Sequence, residues 1–392
     1  MTRIFPAPET ATVLVDASNL RSGGGVQVAA SLVDEIIELE SDPTSRARHP
    51  WLASVSYEVS SEVAANLVGN HVARVNISNS KWFQLAKWIP RIHRKYDLQL
   101  TVFGPRYGSK RGTDTIVGLA DVTSVYRRPE GVAPGSVANR LKQRIRGVVS
   151  RHIFRHESFL VSESASLASL FSERTGYPNA RIQVIPNVIS QTVKDPSLQQ
   201  PLNINLRMAA GSEALLFAYP ARYYAHKNHQ ILPEIRRILV ELGIDVRFVV
   251  TLTNEEWESV DAITKESCIN VGVIAVNQLA DLYQQCDAAI FPSLLESFSV
   301  TPLEALHMNG LLFASDRSFV RDVCGDAAVY IDPLNPAKSA ETIMKALSNP
   351  DTIAQYRHRA ADFVQLQKDS RSRAAAYVEL ISNTLSMGPA VE

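Results

Sequence analysis

Cysteine is scarce. The 392 residues hold three, at positions 268, 286 and 324, too few and too far apart for a disulfide framework, and none belongs to a Cys-x-x-Cys pair. A redox centre or thiolate metal site of that kind is excluded, and buried Cys as a small apolar residue in a reducing compartment is the expectation. Long apolar runs are also lacking, so no membrane-spanning helix is expected. The first residues, MTRIFPAPETATVLVDASN, have no basic start followed by an apolar core, the mark of a signal peptide, and a cytoplasmic location is expected. There is no short-period repeat and no low-complexity tract. Neither sign of charge dominates overall, with 40 Lys and Arg against 40 Asp and Glu.

What is present is the composition of a globular protein, 45% hydrophobic and 20% charged, on a chain longer than one core usually grows. Two domains are expected. The balanced total hides a polarity: residues 81–155 hold 16 Lys or Arg and 4 Asp or Glu, an excess of 12. An anionic neighbour for that region is expected.

Strand and helix patterns alternate, which predicts parallel sheets wound on both faces, an α/β class. TATVLVDASNL reads as a strand, followed by three glycines and an apolar period at Val26, Ala29, Ala30, Val33, Ile36 and Ile37 that reads as a helix. Further strands are expected in HPWLASVSY, HVARVNI, LQLTVFGP, DTIVGLA, HESFLVSES and IQVIPNV. A polar, Pro-containing stretch without period predicts a linker at 191–212, separating an N-terminal domain, 1–190, from a C-terminal one, 213–365. Alternation then restarts through EALLFAY, IDVRFVVTLT, INVGVIAV, DAAIFPS and LLFASD, and the chain from Pro336 reads as helices, the last of them, 366–392, free to return toward the first domain.

In open α/β sheets ligands bind beyond the carboxyl ends of the strands, so the loops there carry the candidates. Gly23, Gly24 and Gly25 offer backbone N–H groups at a helix start, although the spacing is not that of a dinucleotide fingerprint; a tight turn is the alternative. ARYYAHKNH supplies Arg222 and Lys227, suited to a diphosphate, with His226 and His229 alongside; solvated surface charge is the alternative. IPNV, with Asn187, reads as a turn. LLESFSVTPLEALHMNG holds Glu296 in a loop and Glu304 in the first turn of a helix, where Thr301 as N-cap and Pro302 after it would make Glu304 half of a capping box.

Taken in order, these segments resemble the family-4 retaining glycosyltransferases of the GT-B fold. The likeness rests on the glycines after the first strand, FLVSESASLASLF, IQVIPNV, Arg222 and Lys227, the Glu-seven-residue-Glu pair within LADLYQQCDAAIFPSLLESFSVTPLEAL, and RDVCGDAAVYIDP. It implies two Rossmann-like domains facing a cleft, with the acceptor on the first and a nucleoside diphosphate sugar on the second. By the same resemblance Glu304 would bind the ribose hydroxyls and Glu296 the donor sugar. The backbone around Ser299, Val300 and Thr301 would receive the distal phosphate, Arg222 and Lys227 would neutralise the leaving diphosphate, and Gly23 to Gly25 with Asn187 would complete the donor site. The implied reaction is hexosyl transfer to a glycan or polyprenyl-linked saccharide with retention, as in bacterial surface polysaccharide synthesis. No cofactor is implied. No Asp-x-Asp occurs, and no metal is expected. Departures are Ser299 and Val188 where many members have Gly, and Thr123 near the place of a first-domain His.

The basic region has two readings. NRLKQRIRGVVSRHIFRHE puts Leu141, Ile145, Val148, Val149 and Ile153 on one stripe among Arg and Lys, and KWFQLAKWIPRIHRKY adds Trp82, Phe83 and Trp88. One reading is a peripheral contact with the inner face of an anionic membrane; the other is a helix packed on its own domain with a solvated basic face. No nucleic-acid motif accompanies the charge. Rival functions are a nucleotide-sugar epimerase or phosphorylase of the same fold, or a non-catalytic nucleotide-sugar or nucleic-acid binding protein.

Overall fold

The computed structural model describes residues 11–21, 23–78, 96–106, 113–125, 130–131, 137–211 and 213–387. The chain divides into two compact units, one of Met1–Arg127, Leu141–Asn187 and Lys368–Glu392, the other of Arg128–Arg140 and Val188–Gln367.

The first unit is built on seven strands, β1 (Val13–Ala17), β2 (Val55–Val59), β3 (Asn76–Ile77), β4 (Leu98–Thr101), β5 (Asp114–Leu119), β6 (Phe159–Ser162) and β7 (Ile182–Val184). They lie in the order β3-β2-β1-β4-β5-β6-β7, each pairing parallel. Central strands are covered on both faces, which is why β1 is buried at every position, Asp16 included, and does not alternate apolar with polar. The helix Gly24–Ser41 buries Val26, Ala29, Ala30, Val33, Ile36 and Ile37, the stripe its period predicted. Against it packs the helix Ser370–Met387, which sends Ala374, Tyr377, Val378 and Ile381 into the same core. The Trp51 indole N–H donates to Ser382 Oγ at 2.8 Å, a second tie between the end of the chain and this unit.

The second unit has six strands, β8 (Leu215–Tyr219), β9 (Val246–Val250), β10 (Cys268–Asn270), β11 (Ala288–Phe291), β12 (Leu312–Ser315) and β13 (Val329–Ile331). Their order is β10-β9-β8-β11-β12-β13, again all parallel. Phe217, Phe248 and Phe313 meet at its centre, the first and last stacked at 5.3 Å. All three cysteines are free and buried here.

Three expectations change. β13 lay unread inside DAAVYIDP because it is only three residues long. Pro50–Ser54 forms a 3-10 turn, and the strand expected across HPWLASVSY begins only at Val55. The stretch 191–212 is no loose linker. It forms short helices at Gln191–Lys194 and Leu206–Ala210 and is built into the second unit. Leu202 N–H donates to Asp281 Oδ2 at 2.7 Å and Leu206 N–H to Gln285 Oε1 at 2.9 Å. Its bonds run to residues about eighty positions away, so no local period betrays its order.

Candidate functional site

In the second sheet the chain leaves β8 toward β9 on one side and meets β11 on the other. Such a reversal is the place where open α/β sheets take ligands, beyond the carboxyl ends here of β8 and β11. The two loops there are stitched together. The Tyr219 hydroxyl donates to the Lys227 carbonyl at 2.6 Å, and Leu294 N–H donates to the His226 carbonyl at 2.7 Å. Asn228, at φ 60°, holds a left-handed turn that Asn tolerates, and its amide donates to the carbonyls of Pro292 and Pro333. Ser315 Oγ donates to the Ser293 carbonyl from below.

The stitching brings Lys227 and Glu296 together: Nζ donates to Oε1 at 2.7 Å, with both side chains largely buried. The ammonium also lies 5.6 Å from the centre of the Phe291 ring. A cation held in so dry a place has the chemistry to meet a phosphate, and its counter-charge is a carboxylate already in position.

Glu304 differs. The helix begins at Thr301, Val300 stands at the N-cap, and no side-chain cap hydrogen bond forms, so the expected capping box is absent. Glu304 points inward, 6% exposed, and burial alone lifts its carboxyl to about 7. Among the described residues neither an ion pair nor a hydrogen bond compensates it. The N–H groups of Ser299, Val300 and Thr301 donate to no backbone carbonyl among the described residues. The start of this helix therefore offers donors to an anion and, one turn on, a largely buried carboxyl that accepts no hydrogen bond from the described residues.

Arg222 is drawn elsewhere. Its Nε donates to Glu256 Oε1 at 2.7 Å, while the side chain stays about half exposed. Glu256 closes a capping box with Thr253 at the start of the helix Asn254–Ser259, so the guanidinium is anchored to a rigid element. Sequence reasoning missed Glu256; Thr253-Asn-Glu-Glu256 after an apolar run was the signal. His226 and His229 carry no charge at neutral pH. Burial, reinforced by Lys227, pushes His229 down to about 4, and its ring packs 4.7 Å from that of Tyr219. Burial lowers His226 too, against the pull of Glu296.

In the first unit, Gly23 sits at φ 74° as N-cap, and the helix already begins at Gly24, so the expected loop is two residues shorter. A Cβ on Gly23 or Gly24 would meet nothing within 4 Å, whereas one on Gly25 would reach Phe103 at 3.4 Å. The open space beside Gly24 leaves its backbone approachable. Asn187 is buried in this unit, where its Oδ1 accepts from Arg373. Arg373 also donates to Ser31 Oγ at 3.0 Å. Thr123 falls in a 3-10 turn, Val122–Ser124, and its side chain lies outside the described residues, as do Trp82, Phe83 and Trp88. A cavity of about 750 Å³ at the amino ends of the second sheet's strands, beside Arg207, Asp287 and Arg357, holds none of the candidate residues.

Residues 208–363 match the family model described as Glycosyl transferases group 1. The chain is 28% identical over 105 residues to the O-antigen chain mannosyltransferase RfbU of Salmonella typhimurium, a stretch covering 26% of this chain and 30% of that one. It is 28% identical over 248 residues to glycogen synthase of Mycobacterium tuberculosis, covering 61% and 57%. The chain thus spans less than two thirds of each of these relatives. Among solved structures it is similar to Anabaena Alr3699/HepE in complex with UDP and glucose, with a TM-score of 0.66 and 16% identity over 95% of this chain and 99% of that one. The two parallel-sheet units are those of the GT-B fold, and the stretch similar to the group 1 glycosyltransferase model lies within the second.

Proposed function

We propose that this protein transfers a hexose from a nucleoside diphosphate sugar to a glycan or lipid-linked saccharide, with retention at the anomeric carbon, in the assembly of a bacterial surface polysaccharide. The observation that carries the reading is Glu304, a buried carboxyl without a partner among the described residues, on the helix that follows the loop of Glu296, which Lys227 meets from the neighbouring loop. The group 1 match over the second unit and the GT-B fold support the reaction class.

In this reading the ionised Glu304 accepts hydrogen bonds from the vicinal hydroxyls of the ribose, replacing the water that burial denies it. Glu296 accepts from hydroxyls of the donor sugar. Lys227 and Arg222 face the diphosphate, and the N–H groups at the helix start take its distal oxygens. In the reaction the C1–O bond to the diphosphate breaks, a C1–O bond to the acceptor forms on the same face, and the acceptor's proton leaves for the diphosphate or solvent. Negative charge grows on the leaving oxygen, where a fixed cation stabilises the transition state more than the bound substrate. The two cations do this work without a metal ion, so turnover persists in EDTA.

RfbU is named a mannosyltransferase, and the HepE structure holds UDP and glucose, so the donors to test first are GDP-mannose, UDP-glucose and ADP-glucose. Incubation with each donor and a lipid-linked or oligosaccharide acceptor should release nucleoside diphosphate in step with glycan. Conversion of donor without an acceptor would instead indicate an epimerase. Dependence on orthophosphate would indicate a phosphorylase, and binding without turnover of any donor would remove the enzymatic reading.

A further inference from the structure

The helix Val137–Phe154 carries five basic residues and no Asp or Glu. It turns Gly147, Ser150 and Phe154 inward, where Phe154 joins an aromatic cluster with Phe171. Ser150 Oγ donates to the buried Asp121 at 2.6 Å, and Arg151 donates to the Ser124 carbonyl at 3.3 Å. The packed face is therefore narrow, anchored by Phe154 and by the Ser150–Asp121 bond. Of the stripe expected to be buried if the helix packs on its own domain by its apolar side, Ile153 is half-buried, while Leu141, Ile145, Val148 and Val149 point the other way, with exposures of 58, 55, 57 and 51%. These residues follow an i, i+4, i+7, i+8 spacing and form one continuous apolar band.

Basic side chains flank that band on both edges. Lys142 and Arg146 lie along one side, Arg144 and Arg155 along the other, all exposed. Asp121, 3.5 Å from Arg146, is the carboxylate that an ion pair on this helix reaches among the described residues. An apolar band bordered by cations is the complement of a lipid interface, where acyl chains lie just beneath phosphates. A second copy of this helix would bring the same cations into opposition, and a solvated face would not hold four large aliphatic side chains in a row.

We propose that this face of the Val137–Phe154 helix docks on an anionic phospholipid bilayer, lying in the plane of the interface with Leu141, Ile145, Val148 and Val149 among the acyl chains. Lys142, Arg144, Arg146 and Arg155 meet the headgroup phosphates. No helix of the described residues is long and apolar enough to cross a membrane, so the contact is peripheral. It depends on the helix face alone and stands whether or not the sugar-transfer reading holds.

The test is co-sedimentation of the full chain with vesicles of phosphatidylcholine, with and without phosphatidylglycerol. The protein should sediment with the anionic vesicles only, and less so at high salt. Two variants read the two halves of the face: Leu141→Gln with Ile145→Gln, and Lys142→Glu with Arg144→Glu. Both alter exposed positions, and their thermal midpoints should match the parent. Each should bind anionic vesicles more than about tenfold more weakly. Equal binding to neutral vesicles, or unchanged binding by either folded variant, would overturn the proposal. So would a dimer in light scattering that the Gln variant abolishes, or salt-sensitive capture of an oligonucleotide in place of vesicles.

Discussion

Glu163 of the first unit and Glu304 of the second are both buried carboxyls lifted by desolvation to about 7. Glu163 has a cation near it, Arg373, which opposes the lift and is itself held by Asn187 and Ser31. Glu304 has no opposing charge, only the low dielectric around it. Burial alone therefore does not mark a site. A carboxyl answered from within its own unit belongs to the architecture, whereas one at a helix start without a partner among the described residues is, on the reading proposed above, a place for a ligand.

The comparison breaks most sharply at Glu296. If the second unit's charges serve a donor sugar, Glu296→Gln should lower turnover by about a hundred- to a thousandfold in protein that is still folded at the assay temperature, although Lys227 loses its largely buried counter-charge and the thermal midpoint falls. Steady-state kinetics beside a melting curve checks this. Next in size, Arg373→Ala should destabilise the first unit by about 2–4 kcal/mol, since Asn187 loses its buried hydrogen-bond partner and Glu163 the neighbouring positive charge. Denaturant unfolding reads that loss, and donor affinity of the folded protein should stay unchanged.

Glu304→Gln should act in the opposite sense on stability. The folded-state value near 7 lies above the 4.5 of a free carboxyl, so the native state holds a proton that the unfolded chain releases. The parent therefore loses stability as pH rises from about 4.5 through 7, and the Gln variant loses less. Above pH 7 the unliganded variant should be the more stable by about 1–3 kcal/mol. Smallest is Gly24→Ala, which adds a methyl group to open space in the first turn of a helix. A gain of about 0.4–1 kcal/mol in unfolding free energy is expected.

The fold was largely legible because parallel strands buried on both faces and helices with a 3.6 period write themselves into the apolar pattern, as in β1 and the Gly24–Ser41 helix. β13 and the stretch 191–212 were not, since three residues make no period and bonds to Asp281 and Gln285 are non-local. At the candidate site, the residue types of Lys227, Glu296 and Glu304 and their places after strands were readable. Their partners were not. That Lys227 meets Glu296, that Arg222 meets Glu256 and that Glu304 finds no partner among the described residues depends on side-chain directions at loops whose shapes rest on Asn228, Ser293 and Tyr219. The outward turn of the Leu141–Val149 band was equally hidden, because an amphipathic period does not say which face the core takes.

The central claim is that Glu304 is kept for a ligand. Titration calorimetry of UDP and GDP into the parent and Glu304→Gln at pH 8, with the melting point of each unliganded protein, tests it most directly. One of the nucleotides should bind the variant about tenfold or more weakly, while the unliganded variant melts no lower than the parent. Equal affinities, or an unliganded variant that melts well below the parent, would contradict it and return Glu304 to the architecture beside Glu163.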